Sequence, residues 1–350
     1  MRVAKKHGGQ NCRQVLRFLA GQKARSYCAK SINPSEPCNS LMDARTRDLL
    51  SNELPGWREA HTGDKVKEQT EALSAWIGRS ETIQDTINPT PVIALTATLD
   101  HPASPMAAGT SLPPLWHWLY FLPMHRQSEI GADGHAKRGG FLPPVPLPRR
   151  MWAGSQFDFR SPIRVGDRVA RTSTIDDVTV KEGRTGKLVF VKVRHEVRCN
   201  EAAEPALVEF HDIVYREAQT PTDVAPPPQV AETGAWRREI VPDDVLLFRY
   251  SALTFNGHRI HYDRKYVTEV EGYPGLIVHG PLIATLLMDL LRRQMPEAEV
   301  ASFRFKAVRP TFDLHPFHVN GQLQADGKTV RLWASDHEGW LTMDATAVLR

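Results

Sequence analysis

Apolar residues recur mostly at every second position through much of this chain, the repeat of strands with one buried face. Gln156–Val169 alternates and carries a Gly166-Asp167 turn. Val178–Glu182 runs through Gly183-Arg-Thr-Gly186 into Leu188–Val197, the pattern of a hairpin, and Leu207–Tyr215 predicts a further strand. The pattern of Gln156–Val169 returns in Ser302–His315. Val319–Leu323, Val330–Ala334 and Trp340–Val348 then supply three more strands, joined by Asp326-Gly327 and Glu338-Gly339 turns.

Helical spacing marks fewer segments. Asp43–Trp76 is charged and helical, with Lys67, Glu68 and Glu71 on a solvated face. Pro91–Leu99 predicts a helix with proline at its entrance. Pro281–Arg293 predicts an apolar helix closing on Arg292 and Arg293, cations suited to its negative end. Pro113–Leu122 is bulky and apolar, a strand or a short helix. Gly131–Pro148 is a long Gly- and Pro-rich loop, and loops of that length inside a domain are usually functional or mobile. Thr220–Val230, with Pro221, Pro226, Pro227 and Pro228, is the clearest linker. Each half thus offers one helix ahead of several antiparallel strands, which periodicity alone describes as α+β. The expected division is an extension over residues 1–45, a first domain over 46–219, a linker over 220–232 and a second domain over 233–350.

Composition narrows the class. The 350 residues are 41% hydrophobic and 24% charged, ordinary for a soluble globular protein with real cores. The net charge of +4 is small, and Met1–Pro37 alone holds eight Lys or Arg with no acid before Glu36, so charge gives no argument for nucleic-acid binding. That segment reads as a disordered extension or as a mitochondrial presequence, and it has no long apolar h-region. No run of eighteen apolar residues predicts a membrane span. Cys12, Cys28 and Cys38 precede the predicted domains and Cys199 stands apart, with no metal-binding spacing. The expectation is a reduced, cytoplasmic protein, or a mitochondrial one if the first residues are a presequence. No metal or cofactor is expected.

Candidate chemistry gathers in Tyr250-Ser-Ala-Leu-Thr-Phe-Asn256-Gly-His258-Arg259-Ile-His261-Tyr-Asp263 and in Val278-His279-Gly280-Pro-Leu282. Together they resemble the active-site signature of MaoC-like (type 2) enoyl-CoA hydratases and hydroxyacyl-thioester dehydratases. In that family a short segment ends in an acidic residue, four spacers and a histidine, and a His-Gly pair then opens a buried helix. Trp76-Ile-Gly-Arg79-Ser-Glu and Arg249-Tyr-Ser-Ala-Leu-Thr-Phe-Asn favour the long two-domain group that includes mesaconyl-C4-CoA and itaconyl-CoA hydratases.

The resemblance implies a tandem hotdog, each domain an antiparallel sheet wrapped around a central helix, and by analogy a homodimer. It implies His261 as the base, Asn256 as a positioning group where the family usually has Asp, and the Gly280 N–H as oxyanion donor. Asn holds water by hydrogen bonds but exchanges no proton, so Asp263 or His258 is left to compensate. His258 and His279 are further substrate-binding candidates. A dicarboxylic acyl-CoA substrate needs a cationic partner for its free carboxylate, and Arg259, Arg249 and Arg79 are the candidates in that order. Trp76, Arg79 and Asp85 form a cluster whose alternative reading is a packed corner. Gly131–Gly140 lacks the strand, lysine and helix of a P-loop. The expected activity is reversible hydration of a short, branched, dicarboxylic enoyl-CoA to a citramalyl-CoA-like product. A 3-hydroxyacyl-ACP dehydratase, a non-catalytic acyl-thioester-binding module and a hotdog thioesterase are the alternatives.

Overall fold

A single ten-stranded antiparallel sheet is built from two copies of one connection pattern. The structure, a computed structural model, describes residues 71–102, 106–183, 186–217 and 227–350. The expected extension, most of the Asp43–Trp76 helix and much of the Pro-rich linker lie outside these residues. The chain divides into Met1–Thr62 and Gly63–Arg350, and the described residues all fall in the second unit.

In the first half β1 (Ser80–Thr86) leads through α1 (Pro89–Thr98) to β2 (Arg149–Phe159), β3 (Arg168–Gly183), β4 (Gly186–Cys199) and β5 (Leu207–Arg216). In the second, β6 (Trp236–Ile240) is followed by α2 (Asp244–Leu253), α3 (Arg264–Glu269) and α4 (Gly280–Gln294). Then come β7 (Val300–Ala307), β8 (Phe317–Leu323), β9 (Thr329–Ser335) and β10 (Leu341–Leu349). The hydrogen-bonded order is β1-β3-β4-β5-β2-β7-β10-β9-β8-β6. From the outer edge inward the two halves read 1-3-4-5-2 and 6-8-9-10-7, the same path run twice. The fold is a double hotdog, α+β, as the resemblance implied.

The halves meet where β2 pairs with β7, Gly154↔Lys306 to Asp158↔Ser302. Phe157 faces Phe303 there with ring centroids 5.9 Å apart. A Cβ on Gly154 would lie 2.4 Å from the Phe305 carbonyl oxygen, so glycine permits the close approach.

Helix α4 is buried along every residue from Leu282 to Leu291. Each of its leucines contributes about 2 kcal/mol by leaving water. Asp289 is the charged member of this run, 1% exposed. It accepts from Arg238 at 2.9 Å and Arg293 at 2.8 Å and shares a hydrogen bond with His101, so two guanidiniums offset its buried charge. The helix of the first half is shorter, and the long segment after it carries the 3-10 turns Trp116–Leu119 and Gln127–Glu129. Beneath Trp116–Leu119 the sheet buries Glu209, which accepts from His117 at 3.0 Å, Ser155 at 3.2 Å and the Trp118 indole at 3.3 Å.

Several boundaries differ from the expectation, among them β3, which begins at Arg168 and not Val178, and β7, which ends at Ala307 and not His315. Gln156–Val169 is no single strand: β2 begins at Arg149, seven residues earlier than its alternation suggested, and ends at Phe159. A bulge at Trp152/Gly154 breaks the period of two ahead of Gln156, which hid the strand's first turn of pairing.

Candidate active site

The site is assembled on the irregular chain between α2 and α4. Helix α2 is capped at its start by Asp243, whose side chain accepts from the Leu246 N–H at 2.8 Å. It ends at Thr254, and Phe255 then takes a φ of 49°. The Asn256 N–H reaches back to the Ser251 carbonyl at 2.8 Å, while Asn256 Oδ1 accepts from the His258 N–H at 3.0 Å. This local turn delivers the chain into a 3-10 turn, Arg259–His261. Asn256 therefore acts on the backbone through its oxygen, and among the described residues its amide hydrogens meet no acceptor.

His261 is 8% exposed. Its Nδ1–H donates to the Ile277 carbonyl at 2.7 Å, which leaves Nε2 as an unprotonated acceptor. Burial lowers its pKa to about 4, the carbonyl contact raising it and the nearby His135 lowering it further. His279 is fully buried and lies flat against His261, ring centroids 3.8 Å apart. His279 Nε2 shares a 2.8 Å hydrogen bond with Ser251 Oγ. Its imidazole supports the ring of His261, and its backbone is the N-cap of α4. Gly280 opens that helix. The first N–H groups of a helix have no partner within it and carry the positive end of its dipole. A Cβ added at Gly280 would meet nothing nearer than Met343 Cε at 4.0 Å, so protein packing leaves this approach clear.

A loop of the first half closes over the site. The His135 ring lies against that of His258 with centroids 3.9 Å apart and planes tilted by 40°, and His258 stands edge-on to His261 at 5.4 Å. His135 Nδ1–H donates to Asp133 Oδ2 at 3.0 Å, and the His135 backbone N–H to Asp133 Oδ1 at 3.1 Å. The two segments touch glycine to glycine: Gly134 has a φ of +89°, and a Cβ there would lie 1.8 Å from the Gly257 carbonyl oxygen. The Arg259 N–H donates to the Asp133 carbonyl at 2.9 Å. Burial lowers the pKa of His258 strongly, and the neighbouring His135, His261 and Arg150 charges push the same way. Asp133, His135 and His258 also have the donor atoms of a metal site, all within 4.8 Å of one another.

The sequence-predicted cations separate. Arg259 already pairs with Asp263 at 2.7 Å, donates to the Ala132 carbonyl at 3.0 Å and lies 4.1 Å over the Tyr266 ring. Asp263 in turn caps α3 by accepting from the Tyr266 N–H at 3.0 Å, so it does not replace the missing catalytic carboxylate. Arg249 is exposed on α2. Arg79 is exposed at the head of β1, 4.3 Å over Trp76, and Asp85 is engaged by the Phe121 and Thr86 N–H groups. The contacts thus join Arg79 to Trp76 and give Asp85 other partners.

Arg150 was missed. It faces Tyr215 across β2 and β5, and its charge acts on the Tyr215 hydroxyl. Its charge depresses both His135 and His258 from one side and His211 from the other. Among the described residues no carboxylate forms an ion pair with it. Asp133 and His135 were also missed, though the Gly131-Ala-Asp-Gly-His run carries two ionisable residues at a sharp turn.

The family model for hydroxyacyl-thioester dehydratase type 2 matches residues 115–313. The mesaconyl-C(4)-CoA hydratase of Chloroflexus aurantiacus is 45% identical over 276 residues, 79% of this chain and 97% of that protein. The mitochondrial hydroxyacyl-thioester dehydratase type 2 of Schizosaccharomyces pombe is 25% identical over 268 residues, 68% of this chain and 88% of the relative. Among solved structures, a MaoC-like dehydratase from Phytophthora capsici matches with a TM-score of 0.56 and 12% identity, over 80% of this chain and 97% of that one. HtdX of Mycobacterium tuberculosis matches at 0.53 and 18%, over 77% and 99%. Likeness at these identities speaks for the fold alone.

Proposed function

This chain belongs to the hydroxyacyl-thioester dehydratase type 2 family and is a hydratase/dehydratase, a carbon–oxygen lyase, and from that premise we propose that it reversibly hydrates a short, branched, dicarboxylic enoyl-CoA. Mesaconyl-C4-CoA is the first candidate, because the relative that is 45% identical carries that activity in its name. Itaconyl-CoA is the second, and either would give a citramalyl-CoA-like hydroxyacyl thioester.

One observation carries the reading: a neutral imidazole with Nε2 free stands beside the unpaired N–H groups of a helix start. In the hydration direction Nε2 of His261 takes a proton from water as the water oxygen bonds to the β-carbon. The electron pair moves toward the thioester carbonyl, whose oxygen is held by the Gly280 N–H. The Asn256 amide hydrogens orient the water. The free carboxylate of the substrate takes Arg150 as its partner in place of the three arginines expected from sequence. A carboxylate entering a half-buried site without a cation would lose its hydration uncompensated.

Loss of the ultraviolet enoyl-thioester band tests this, with mesaconyl-C4-CoA, itaconyl-CoA and crotonyl-CoA offered in parallel. Fast loss with a dicarboxylic substrate and slow loss with crotonyl-CoA is the expected result. Preference for crotonyl-CoA would move the assignment to fatty-acyl dehydration, and binding of all three without turnover would make the chain an acyl-thioester-binding module.

A further inference from the structure

The inner face of the first half carries a pair of rings that the hydration step leaves unused. On β5 the inward positions run Tyr215, Ile213 and His211, and β2 sets Arg150, Trp152 and Ser155 opposite them. Trp152 and Ser155 are three residues apart and on a regular strand would point to opposite faces. The bulge at Trp152/Gly154 supplies the extra residue that turns both inward. Trp152 thereby lies against His211, with ring centroids 4.0 Å apart.

The indole is held from several sides. Its N–H donates to Ser155 Oγ at 2.9 Å and to the Gly154 carbonyl at 3.1 Å, and its ring stands edge-on to Trp118 at 5.2 Å. Trp118 in turn donates to the buried Glu209. A side chain fixed in this way does not swing aside for a ligand. His211 is half-buried, and its ring meets Trp152 and, at 6.0 Å, His195, with no hydrogen bond among the described residues. An imidazole that is neither sealed nor bonded borders accessible space.

Arg150 stands between this pair and the catalytic segment. Its charge acts on His135 and His258 on one side and on His211 on the other. Two residues of strand advance about 7 Å, so Trp152 lies one such step along β2 from Arg150. An acyl group that runs from the Gly280 N–H past His261 toward Arg150 next meets Trp152 and His211.

We propose that Trp152 and His211 form the end wall of the acyl pocket and set its length, admitting short acyl groups and turning away straight chains of hexanoyl length and beyond. The proposal rests on the hydratase reading above, which brings the acyl end to Arg150. In an open apolar channel each added methylene tightens binding. Against fixed rings the added methylenes force strain instead. The sign of the chain-length dependence therefore separates a wall from a channel.

The test is calorimetric titration of wild type, His211→Ala, His211→Phe and Trp152→Leu with butyryl-, hexanoyl- and octanoyl-CoA, saturated thioesters that bind without being hydrated. Wild type is expected to bind octanoyl-CoA at least about tenfold more weakly than butyryl-CoA. His211→Ala removes one ring and should tighten octanoyl-CoA at least about tenfold, with butyryl-CoA within about threefold. His211→Phe keeps a ring in place and should retain the wild-type order. Trp152→Leu opens the wall from the other side, should show the same gain, and carries the comparison if His211→Ala does not fold. Side chains that only support the fold would weaken all three ligands together when cut back, and the longer chain would gain nothing. That outcome, or wild type binding octanoyl-CoA as tightly as butyryl-CoA, would overturn the proposal. Turnover judges the functional reading separately. The expected binding order without turnover of mesaconyl-C4-CoA, itaconyl-CoA or crotonyl-CoA would sink that reading and keep the wall, whereas turnover with the reverse binding order would sink the wall alone.

Discussion

His261 and His279 lie with their imidazole planes 19° apart and their centroids separated by 3.8 Å. The catalytic candidate therefore has a buried twin as its floor, itself tied to Ser251 Oγ at 2.8 Å. Two neutral rings stack without repulsion, whereas two imidazolium rings would not. The burial that keeps His279 uncharged thus also favours the free-base form of His261.

His261→Ala is expected to lower turnover by about 10² to 10⁴ while leaving the fold intact. The acid side of the profile follows from the sign of the shift. A base works when unprotonated, and His261 has its pKa lowered to about 4, so activity should persist as pH falls through 6.5 and fail only near 4. A kcat profile that already halves near pH 6.5 would remove His261 as the base.

How much of this could be read from the sequence differs by element. The Pro281–Arg293 helix and the strands from Leu207 and Val319 onward were legible, because runs of one period sat between clear turns. The partnership of His261 with His279 and Gly280 was legible as a family motif. The loop contribution was not: nothing in the spacing of Asp133 and His135 from His258 says that they meet, since the contact crosses from one half to the other. Arg150 was obscured for another reason. It stands in Pro148-Arg-Arg-Met151, where a bulge two residues on disguises the strand that aims it.

Arg150→Leu should separate substrates by charge. If the guanidinium meets the free carboxylate, kcat/KM for the dicarboxylic thioester should fall by about a hundredfold, the worth of a charge-assisted pair of roughly 3 kcal/mol. Crotonyl-CoA, which lacks that carboxylate, should change by less than threefold. Equal losses on both substrates would place Arg150 in the frame of the site and not at the substrate.

Gly134→Ala tests the contact between the loop and the catalytic segment. The new Cβ would sit 1.8 Å from the Gly257 carbonyl oxygen, against backbone, at a φ of +89° that a side chain rarely adopts. The loop must move, carrying Asp133 and His135 away from His258. The expected outcome is a fall in kcat of at least tenfold with most of the thermal stability retained. Gly139→Ala is the control, since its Cβ would meet only Pro144 at 3.9 Å at a similarly positive φ. Equal effects from the two substitutions would assign the loss to backbone strain alone.

Buried neutral histidines should also set how the fold responds to acid. Burial lowers His195 to about 3, and His211 and His261 to about 4, from an ordinary value of 6.5. Between those values and 6.5 the unfolded chain binds protons that the folded chain refuses, so the unfolded state carries more protons and stability rises with pH. Acidification from 7 toward 4 therefore removes stability, at about 1.4 kcal/mol per pH unit for each such group once it is fully within the window. Glu209 acts in a lower range: although burial alone would raise it, the His117 contact holds it near 2, so its contribution is lost only below about 4.5. Urea midpoints measured at pH 7 and pH 5 should show a clear drop at the lower value. His195→Asn, which fills much of the same space without a titrating ring, should shrink that drop by the share of one group. A midpoint that stays level over this range would mean that these rings are already charged in the folded protein.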